Sequence, residues 1–287
     1  MVFFTQDDID NLISEDVPYF DLTSSLLDID TIPGKITYST RDATVVCCVE
    51  EVERIMHRFG LKIISNTSSG KFLDKDVLFL EASGPASYLH VIWKVTQNIL
   101  EYSSGIATRT YKMVKAAREV NPDTVVVTTR KHFPGSKKLC IKGILAGGAM
   151  PHRLGISETI LIFRQHMNFI GGVKSLLDKI SDIKKRIPEK KITVEVESIE
   201  DAIMMAKKGV DIIQFDKLSP DEIKKSVPSI KQCGDQIKIA AAGGVNLTNI
   251  KEYVEAGSDI IVLSSAYFGK PADIKVRLTP LGDKDER

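Results

Sequence analysis

Long apolar runs, a secretory leader and cysteine motifs are all missing from this sequence. No stretch free of charged residues approaches the roughly 18 apolar residues that a membrane-spanning helix requires. The first residues, MVFFTQDD, place no basic segment before an apolar one, so they do not predict a signal peptide. The four cysteines include an adjacent pair and no Cys-x-x-Cys spacing, which argues against a disulfide framework or a cysteine zinc site. We therefore expect reduced thiols and a cytoplasmic protein that binds no membrane.

An excess of either charge is also absent. Lysine and arginine total 39, and aspartate and glutamate total 38, which gives a formal net charge of +1. This balance argues against a protein whose whole surface binds nucleic acid, although it is compatible with a local basic pocket. With 287 residues, the chain is long enough to bury a large core in one or two domains.

The first hundred residues predict an α+β domain. Two strand-like runs rich in β-branched residues, 35–41 and 43–49, precede a helical pattern over 50–59. Further strand-like runs at 61–65 and 76–82 are followed by a helix with one apolar face. Strands that precede a clustered helix are typical of α+β domains.

From about residue 122 the pattern changes to strands that alternate with helices. The strand-like runs are almost wholly apolar, and they cover 124–129, 158–163, 192–197, 210–215, 237–241 and 259–263. Such runs indicate strands buried on both faces. The alternation predicts successive βα units in either a closed βα barrel or an open doubly wound sheet. No Gly-x-Gly-x-x-Gly motif opens the first unit, which disfavours a dinucleotide-binding sheet.

Polar residues at the carboxyl ends of these strands are the first candidates for a site, because barrel active sites lie there. These ends carry basic, acidic and small residues: Arg130, Lys131, Glu195, Glu197, Asp216, Lys217, Gly243, Gly244, Ser264 and Ser265. The basic run TTRKHFPGSKK (128–138) suits a phosphate or a carboxylate. The glycine pairs 147–148 and 243–244 suit close backbone approach to an anion. Taken alone, the basic run also fits a solvated loop, and each glycine pair also fits a turn.

Four acidic residues divide between the two ends of the strands. Glu195 and Asp216 stand at neighbouring carboxyl ends and face basic residues. Such a pair suits either Mg²⁺ or the stabilisation of a sugar cation. Asp211 and Asp259 stand at strand starts. These two therefore belong to the opposite rim, and we expect them to be structural.

The segment GGAMPHRLGISE (147–158) adds His152 and Arg153 in front of one strand. No second histidine stands at metal-ligand spacing from His152. We therefore expect His152 and Arg153 to bind an anion rather than a metal.

Taken together, the motifs resemble the type II phosphoribosyltransferases, of which quinolinate phosphoribosyltransferase is the best known. The matching segments run in the family's order: DLTS (21–24), NIL (98–100), SGIAT (104–108), TRKHFPG (129–135), GGAMPHRLG (147–155), VEVE (194–197), DIIQFD (211–216), AGGVN (242–246) and PADIKV (271–276). The resemblance implies an α/β fold, an incomplete α/β barrel of about seven strands with an N-terminal α/β sandwich domain. The sandwich domain would cover 1–105 plus 270–287, and the barrel 106–269. The resemblance also implies a homodimer or higher oligomer with shared active sites, and the tail 282–287 is predicted to be disordered.

The resemblance implies a role for most candidates. The implied roles are substrate binding by Lys94, Arg130, Lys131, His152, Arg153 and Phe163; catalysis by Glu195, Asp216 and Lys131; Mg²⁺ binding, directly or through water, by Glu195 and Asp216; and 5′-phosphate binding by Gly243, Gly244, Ser264 and Ser265. The implied reaction transfers the ribosyl group of phosphoribosyl pyrophosphate to a ring nitrogen and releases pyrophosphate. Positive charge, including that of Lys137, is accordingly predicted to gather at the barrel mouth.

Departures from the family pattern fall on the acceptor side. Lys94 replaces an arginine, which removes a bidentate grip. Phe163 stands where the family has a lysine that touches the anionic substrate or pyrophosphate, and Lys217 rather than asparagine follows Asp216. These exchanges imply an acceptor less anionic than quinolinate. The pattern resembles the ModD branch of pyrophosphorylases, which is associated with molybdenum uptake.

Several functions stay open at this point. The leading hypothesis is a ModD-like phosphoribosyltransferase that uses phosphoribosyl pyrophosphate, Mg²⁺ and an unidentified heteroaromatic acceptor. The alternatives are a quinolinate phosphoribosyltransferase of NAD biosynthesis and a non-enzymatic accessory protein of molybdate uptake. The strand pattern alone also fits a phosphosugar isomerase or aldolase. Each hypothesis expects small-molecule ligands and no nucleic acid.

Overall fold

The computed structural model describes residues 2–17 and 19–282. Two compact units divide the chain. The sandwich unit comprises the described chain up to Tyr111, Phe133–Gly148 and the described chain from Phe268, whereas the barrel unit comprises Lys112–His132 and Ala149–Tyr267. Within the tail that was predicted to be disordered, residues 283–287 lie outside the described chain.

Helices and strands follow one another along the described chain, and they alternate regularly in its last third. Up to residue 146 they are α1 Gln6–Ser14, α2 Leu22–Leu26, β1 Pro33–Thr40, β2 Thr44–Val45, α3 Val49–Arg58, β3 Lys62–Asn66, β4 Phe72–Leu73, β5 Leu78–Pro85, α4 Ala86–Val120, β6 Val125–Thr128 and α5 Lys137–Ala146. Beyond it they are β7 Met150–Pro151, β8 Ile160–Ile162, α6 Arg164–Asn168, α7 Val173–Arg186, β9 Ile192–Val196, α8 Ile199–Lys207, β10 Ile212–Asp216, α9 Pro220–Lys231, β11 Lys238–Ala242, α10 Ile250–Glu255, β12 Ile260–Leu263, a 3₁₀ turn Ser265–Tyr267 and β13 Ile274–Pro280. Among residues 2–17 and 19–282, no helix combines the length and the apolarity that crossing a bilayer needs.

The sandwich unit is built on an antiparallel sheet with the strand order β13-β1-β5-β3. Strand β1 alternates between exposed and buried positions, so Ile36 and Tyr38 face the core. Helix α3 covers that core with residues that include Val52 and Ile55. The last strand, β13, pairs with β1 along its whole length, with Ile36 opposite Leu278. The end of the chain thus completes the sheet that the beginning of the chain starts.

The barrel unit contains a sheet of seven parallel strands in the order β7-β6-β12-β11-β10-β9-β8. The first strand of this unit, β6, pairs with the last, β12, as the first and last strands of a βα barrel do. The break in the barrel lies between β7 and β8, which are the two edges of the sheet in the described chain. The predicted fold class, an incomplete α/β barrel with an N-terminal α/β sandwich, is confirmed, and the open doubly wound sheet is wrong.

Helix α5 and strand β7 are among the elements that were not predicted. Helix α5 begins inside the basic run 128–138, which fits a loop when its charges alone are considered. Strand β7 has only two residues, one of them proline, and gives no strand pattern. Gly147 follows α5, and a Cβ there would lie 2.5 Å from Cβ of Thr110. Gly147 therefore permits close packing on α4 within the sandwich unit, which is a structural role.

Two aspartates tie the amino ends of the barrel strands together. Asp211 accepts a hydrogen bond from the backbone N–H of Ile192, the first residue of β9, with an N–O distance of 2.8 Å. Asp259 does the same for Ile239 of β11, also at 2.8 Å. Two lysine ammonium groups lie within 3.7 Å of each carboxylate. The aspartates thus have the structural role that was expected of them.

Candidate active site

Strand register places the predicted acids on the inner face of the barrel. Glu195 of β9 pairs with Gln214 of β10, and Asp216 pairs with Ala242 of β11. Because side chains two residues apart share a face, Glu195, Gln214 and Asp216 point the same way. The facing positions of β11 are alanines, Ala240 and Ala242, which occupy little of the interior. The register therefore leaves room beside the acids at the carboxyl ends of the strands.

The two acids carry like charge, and each has one close polar neighbour of a different kind. Oε2 of Glu195 accepts a hydrogen bond from Nε2 of Gln214 at 2.7 Å. Oδ2 of Asp216 lies 3.9 Å from Nζ of Lys217. Burial raises the pKa of Glu195, and the negative charges of Asp216 and Glu197 raise it further, while Gln214 and Lys131 oppose them. The side chain of Glu195 thus lies in a field of like charge.

Two arginines form the basic part of the site. Burial lowers the pKa of Arg153, and the positive charge of Arg130 lowers it further, so the two guanidinium groups repel each other. Burial also lowers the pKa of His152, as does the charge of Arg153, against an interaction with Gln214 that raises it. The net shift favours the neutral form of His152. A bound anion would relieve the repulsion between the arginines.

Phe163 lies at the carboxyl end of β8, one residue beyond Ile162, which pairs with Val194 of β9. This register places Phe163 level with Glu195 and on the same face. The guanidinium carbon of Arg153 lies 5.7 Å from the centroid of the Phe163 ring. The ring of His166 stacks on Phe163 with a centroid distance of 5.8 Å and an interplanar angle of 18°. Phe163 is thus a fixed aromatic wall beside the basic part of the site.

The glycine pair after β11 is required by its backbone. Gly243 and Gly244 have φ values of 82° and 88°, in the region that favours glycine. A Cβ on Gly243 would lie 2.5 Å from Oδ1 of Asp216 and 2.8 Å from the backbone nitrogen of Lys217, whereas one on Gly244 would meet nothing within 4 Å. Lys217 itself has φ 63°, which is unusual for a residue with a side chain. The backbone of Gly243 therefore lies directly against the carboxylate of Asp216.

The two predicted serines differ in their contacts. The hydroxyl of Ser264 forms a 2.8 Å hydrogen bond with that of Thr129, at the carboxyl ends of β12 and β6. The hydroxyl of Ser265 donates to the backbone carbonyl of Val245 at 3.0 Å and thereby fixes the loop after Gly244. Ser264 is consequently the better placed of the two at the strand ends, and Ser265 holds the loop.

Two predicted cations, Lys94 and Lys137, belong to the sandwich unit. Nζ of Lys94 lies 4.3 Å from the centroid of the Trp93 ring and donates to Gln97 at 3.2 Å. Lys137 is the first residue of α5. Their roles in substrate binding stay predictions, because the barrel residues that come together are Arg130, Lys131, His152, Arg153, Phe163, Glu195 and Asp216.

Sequence reasoning missed Gln214 and Tyr267. Gln214 lies in the middle of a strand and bridges toward both Glu195 and His152. The hydroxyl of Tyr267 donates to the backbone carbonyl of Thr129 at 3.0 Å and lies 2.9 Å from Oγ1 of Thr128. The signal for Gln214 was available, because a polar residue inside the apolar run DIIQF needs a buried partner.

Two family models match nearly the whole chain. The N-terminal domain of quinolinate phosphoribosyl transferase matches residues 21–104, and the C-terminal domain of the same enzyme matches residues 106–277. The chain belongs to the quinolinate phosphoribosyltransferase family. This membership confirms the predicted resemblance, and it confirms the predicted enzyme class, a phosphoribosyltransferase among the pentosyltransferases.

Curated relatives within this family carry two kinds of name. The chain is 33% identical to "Putative pyrophosphorylase ModD" of Pasteurella multocida over 96% of its length and 98% of the relative's. It is 34% identical to the protein of the same name from Escherichia coli O6:H1, over 98% and 99% of the two chains. It is 29% identical to "Probable nicotinate-nucleotide pyrophosphorylase (carboxylating)" of Methanothermobacter thermautotrophicus, over 96% and 99%. The chain is therefore ModD-like, as its sequence predicts.

Solved structures share the fold. The structure of NadC from Streptococcus pyogenes superposes with a TM-score of 0.87 at 24% identity and covers 98% of this chain and 100% of its own. A NadC deletion mutant gives the same TM-score at 25% identity, over 96% and 97% of the two chains. The sandwich and the incomplete barrel are thus a shared architecture.

Proposed function

We propose that the protein transfers the phosphoribosyl group of phosphoribosyl pyrophosphate to a heteroaromatic acceptor and releases pyrophosphate. The lone pair of an acceptor ring nitrogen forms a bond to the anomeric carbon. The bond from that carbon to the pyrophosphate oxygen breaks, and pyrophosphate leaves with the electron pair. The substrates are small molecules, and nucleic acid takes no part.

One observation carries this proposal: the carboxyl ends of the strands carry one group of acidic side chains and one group of basic side chains. Glu195 and Asp216 form the negative group, and Arg130 and Arg153 form the positive one. The negative group suits the positive charge that develops on the ribose, and the arginines suit the charge that develops on the leaving pyrophosphate. Lys131 is a cation near the negative group, because its charge lowers the pKa of Glu195 and so opposes the effect of the neighbouring acids. Gly243 and Gly244 supply close backbone approach for the 5′-phosphate, with Ser264 and Ser265 beside them.

Mg²⁺ fits the acidic group. This ion prefers oxygen ligands and is usually held by one or two carboxylates together with substrate phosphates. Asp216 and Glu195 offer two carboxylates in a field of like charge, which a cation would relieve. Within the described chain, no group of three or more histidine, cysteine, aspartate and glutamate side chains is arranged to hold a metal, so substrate oxygens would complete the ligand set. When bound, the ion neutralises charge on pyrophosphate.

The acceptor side favours a molecule less anionic than quinolinate. Phe163 presents a ring rather than a cation, and Arg153 already lies against that ring. A heteroaromatic acceptor can stack on such a wall. The sequence resemblance to the ModD branch implies a link to molybdenum uptake, which we include in the proposal.

The test is a pyrophosphate-release screen. Purified protein is incubated with Mg²⁺, phosphoribosyl pyrophosphate and one heteroaromatic acid or base at a time. We expect at least one acceptor to stimulate release, and a Glu195→Ala variant to abolish the stimulation. No stimulation by any member of a broad panel would contradict the assignment.

A second candidate function is the carboxylating reaction of quinolinate in NAD biosynthesis. It is favoured by the archaeal relatives of that name at 29% identity. Turnover of quinolinate at micromolar concentration, with release of carbon dioxide, would establish it. A non-enzymatic accessory role in molybdate uptake would instead be favoured if Glu195→Ala and Asp216→Ala changed neither an activity nor a cellular phenotype that depends on the protein.

We further propose a cytoplasmic homodimer or higher oligomer with shared active sites. The supporting feature is the apolar surface around α2, where Tyr19 is 89%, Phe20 68% and Leu26 74% exposed. Monomeric proteins rarely leave such a group of apolar side chains in water. Sedimentation at micromolar concentration should show a dimer or a larger species, and a monomer that turns over substrate would contradict the proposal.

A further inference from the structure

Two buried atoms in the barrel interior lack the partner that burial demands. In the described part of the chain, Nδ1 of His152 and Oε1 of Gln214 are both shielded from solvent, and neither forms a hydrogen bond of good geometry. Gln214 as a whole is only 4% exposed. The two side chains are nevertheless close enough for Gln214 to raise the pKa of His152. Since an unpaired buried polar atom destabilises the folded state, this arrangement calls for an explanation beyond packing.

The orientation of the Gln214 amide group is fixed by its hydrogen bond to Glu195. Its Nε2 donates to Oε2 of Glu195 at 2.7 Å, and an amide nitrogen can only donate. Oε1 must therefore act as the acceptor of Gln214, and the group that satisfies it must be a donor. Nδ1 of His152 is such a donor when it carries the ring proton.

The protonation of His152 then determines what its other nitrogen can do. Burial and the charge of Arg153 disfavour the imidazolium form. A neutral imidazole with its proton on Nδ1 has a lone pair on Nε2. Such a nitrogen accepts a hydrogen bond from a hydroxyl or N–H group, and it repels the oxygen atoms of phosphate and carboxylate.

We propose that Gln214 is a positioning residue that couples Glu195 to His152. It keeps the proton of His152 on Nδ1, so that Nε2 of His152 accepts a hydrogen bond from a donor group of the substrate. The donor is either a ribose hydroxyl of phosphoribosyl pyrophosphate or an N–H of the acceptor. This role differs from the anion-binding role that the sequence predicts for His152. Only the identity of the ligand rests on the proposed function, because the tautomer is a property of the ligand-free protein.

Two other histidines provide internal standards. Nδ1 of His90 lies 2.7 Å from the carbonyl oxygen of Ala86, so that nitrogen must carry the proton. Nδ1 of His166 accepts from the backbone N–H of Phe163 at 3.0 Å, so its proton must lie on Nε2. The chain thus contains one histidine with the tautomer proposed for His152 and one with the opposite tautomer.

The first experiment is NMR of the whole protein labelled with ¹⁵N-histidine, with His152 assigned from a His152→Asn variant. We expect His152 to show the pattern of His90 and not that of His166. In Gln214→Met, His152 should shift toward the Nε2-protonated form while both standards stay unchanged. An imidazolium or Nε2-protonated His152 in the wild-type protein near pH 7.5 would overturn the proposal, as would an unchanged His152 in folded Gln214→Met. If that variant does not fold, the wild-type tautomer alone decides.

The second experiment identifies the donor. Calorimetry with Mg²⁺ compares binding of phosphoribosyl pyrophosphate and of pyrophosphate, which lacks ribose hydroxyls, to His152→Phe and His152→Gln. If the donor is a ribose hydroxyl, His152→Phe should weaken binding of phosphoribosyl pyrophosphate alone by roughly three- to tenfold, and His152→Gln, which keeps an acceptor, should restore part of it. If the hydrogen-bond donor is an N–H group of the acceptor substrate, KM for the acceptor found in the screen should rise instead.

Equal weakening of the binding of both ligands would indicate an anion contact and overturn the proposal. Failure of the wild-type protein to bind either ligand would contradict the proposed function and leave the tautomer result standing.

Discussion

The two rims of the barrel sheet use the same residue types in opposite ways. At the amino rim, Asp211 and Asp259 each accept a backbone hydrogen bond from a neighbouring strand, and each has two lysines nearby. At the carboxyl rim, Glu195 is raised in pKa by burial and by other acids, and Arg153 is lowered in pKa by burial and by Arg130. The charges of the first rim are compensated by opposite charge. At the second rim, Glu195 and Arg153 each lie near charges of like sign, and Lys131 and Lys217 compensate the acids only in part.

This difference separates structural from functional charge without reference to any relative. Compensated charges stabilise the fold, because each removes an unsatisfied backbone donor and pairs with opposite charge. Uncompensated like charges cost stability unless a ligand balances them. The comparison therefore predicts that substitutions at the two rims affect different quantities: catalysis at the carboxyl rim and stability at the amino rim.

The largest effect is expected at Glu195. Glu195→Gln keeps the shape of the side chain and removes the charge that would face the ribosyl cation. The rate of pyrophosphate release should fall by about 10²- to 10³-fold, since electrostatic groups of this kind typically contribute that much. Steady-state kinetics with the acceptor from the screen measures the loss.

Glu197 is the matched control for this substitution. It lies two residues further along, is exposed, and pairs with Arg164 at the surface. Glu197→Gln should change the rate by less than about twofold, because exposed ion pairs contribute little. Equal losses in the two variants would show that the half-buried Glu195 contributes no more than the exposed Glu197.

The next effect is expected at Gly243. In Gly243→Ala, the new methyl group would meet Asp216 Oδ1 at 2.5 Å, in a backbone conformation with φ 82°. Affinity for phosphoribosyl pyrophosphate should fall by roughly tenfold or more, since about 1.4 kcal/mol of lost contact or strain corresponds to tenfold in a binding constant. Calorimetry measures the change.

Gly60→Ala provides the control for backbone strain. Gly60 has φ 68°, and a Cβ there would meet nothing within 4 Å. This variant should lose about 1 kcal/mol of stability and keep full affinity for phosphoribosyl pyrophosphate. If Gly243→Ala also binds normally, the close approach of Gly243 to Asp216 has no part in the site.

A moderate effect on stability is expected at the amino rim. Asp259→Ala leaves the backbone N–H of Ile239 and two lysines without their partner. The free energy of unfolding should fall by about 1–3 kcal/mol, with the rate per folded molecule unchanged. Chemical denaturation is the measurement, and Asp235→Ala at an exposed position is the control. A loss of turnover without a loss of stability would reverse the assignment of the rims.

The smallest effect is the pH dependence of stability that Glu195 imposes. Its pKa in the folded protein is raised above the ordinary value of 4.5, so the folded state holds the proton more tightly than the unfolded state. The contribution of Glu195 to stability therefore falls as pH rises from about 4.5 through the raised pKa. The free energy of unfolding of Glu195→Gln, measured relative to that of the wild-type protein, should therefore increase between about pH 4 and pH 7. A difference that is flat or shrinks over this range would contradict an uncompensated carboxylate.

The sequence predicts the fold where its patterns are long and local. Strand-like runs of five or six mostly apolar residues mark six of the seven barrel strands, because strands buried on both faces are rich in such residues. The seventh, β7, has two residues and a proline, so only the resemblance to a family implied seven strands. Helix α5 was missed because its first turn is basic, whereas its buried side, with Cys140 and Ile144, is visible only once the sandwich core is known.

The site was predictable where residue type and strand position suffice. Glu195, Asp216 and Gly243 follow from their places at carboxyl ends. The hydrogen-bond partner of Glu195 was not predictable, since the register that pairs Glu195 with Gln214 is set by contacts between strands. The lowered pKa of His152 was also hidden, because it results from burial and from Arg153, and the sequence shows only two adjacent basic residues.

Calorimetry of phosphoribosyl pyrophosphate with the wild-type protein, in the presence and absence of Mg²⁺, tests the carboxyl rim most directly. If the uncompensated charges of this rim form a substrate site, the ligand should bind with Mg²⁺ and bind more weakly without it. Glu195→Gln should reduce the dependence on Mg²⁺, and Asp259→Ala should leave it unchanged. Absence of binding under both conditions, or binding that both variants alter equally, would contradict the division between the two rims.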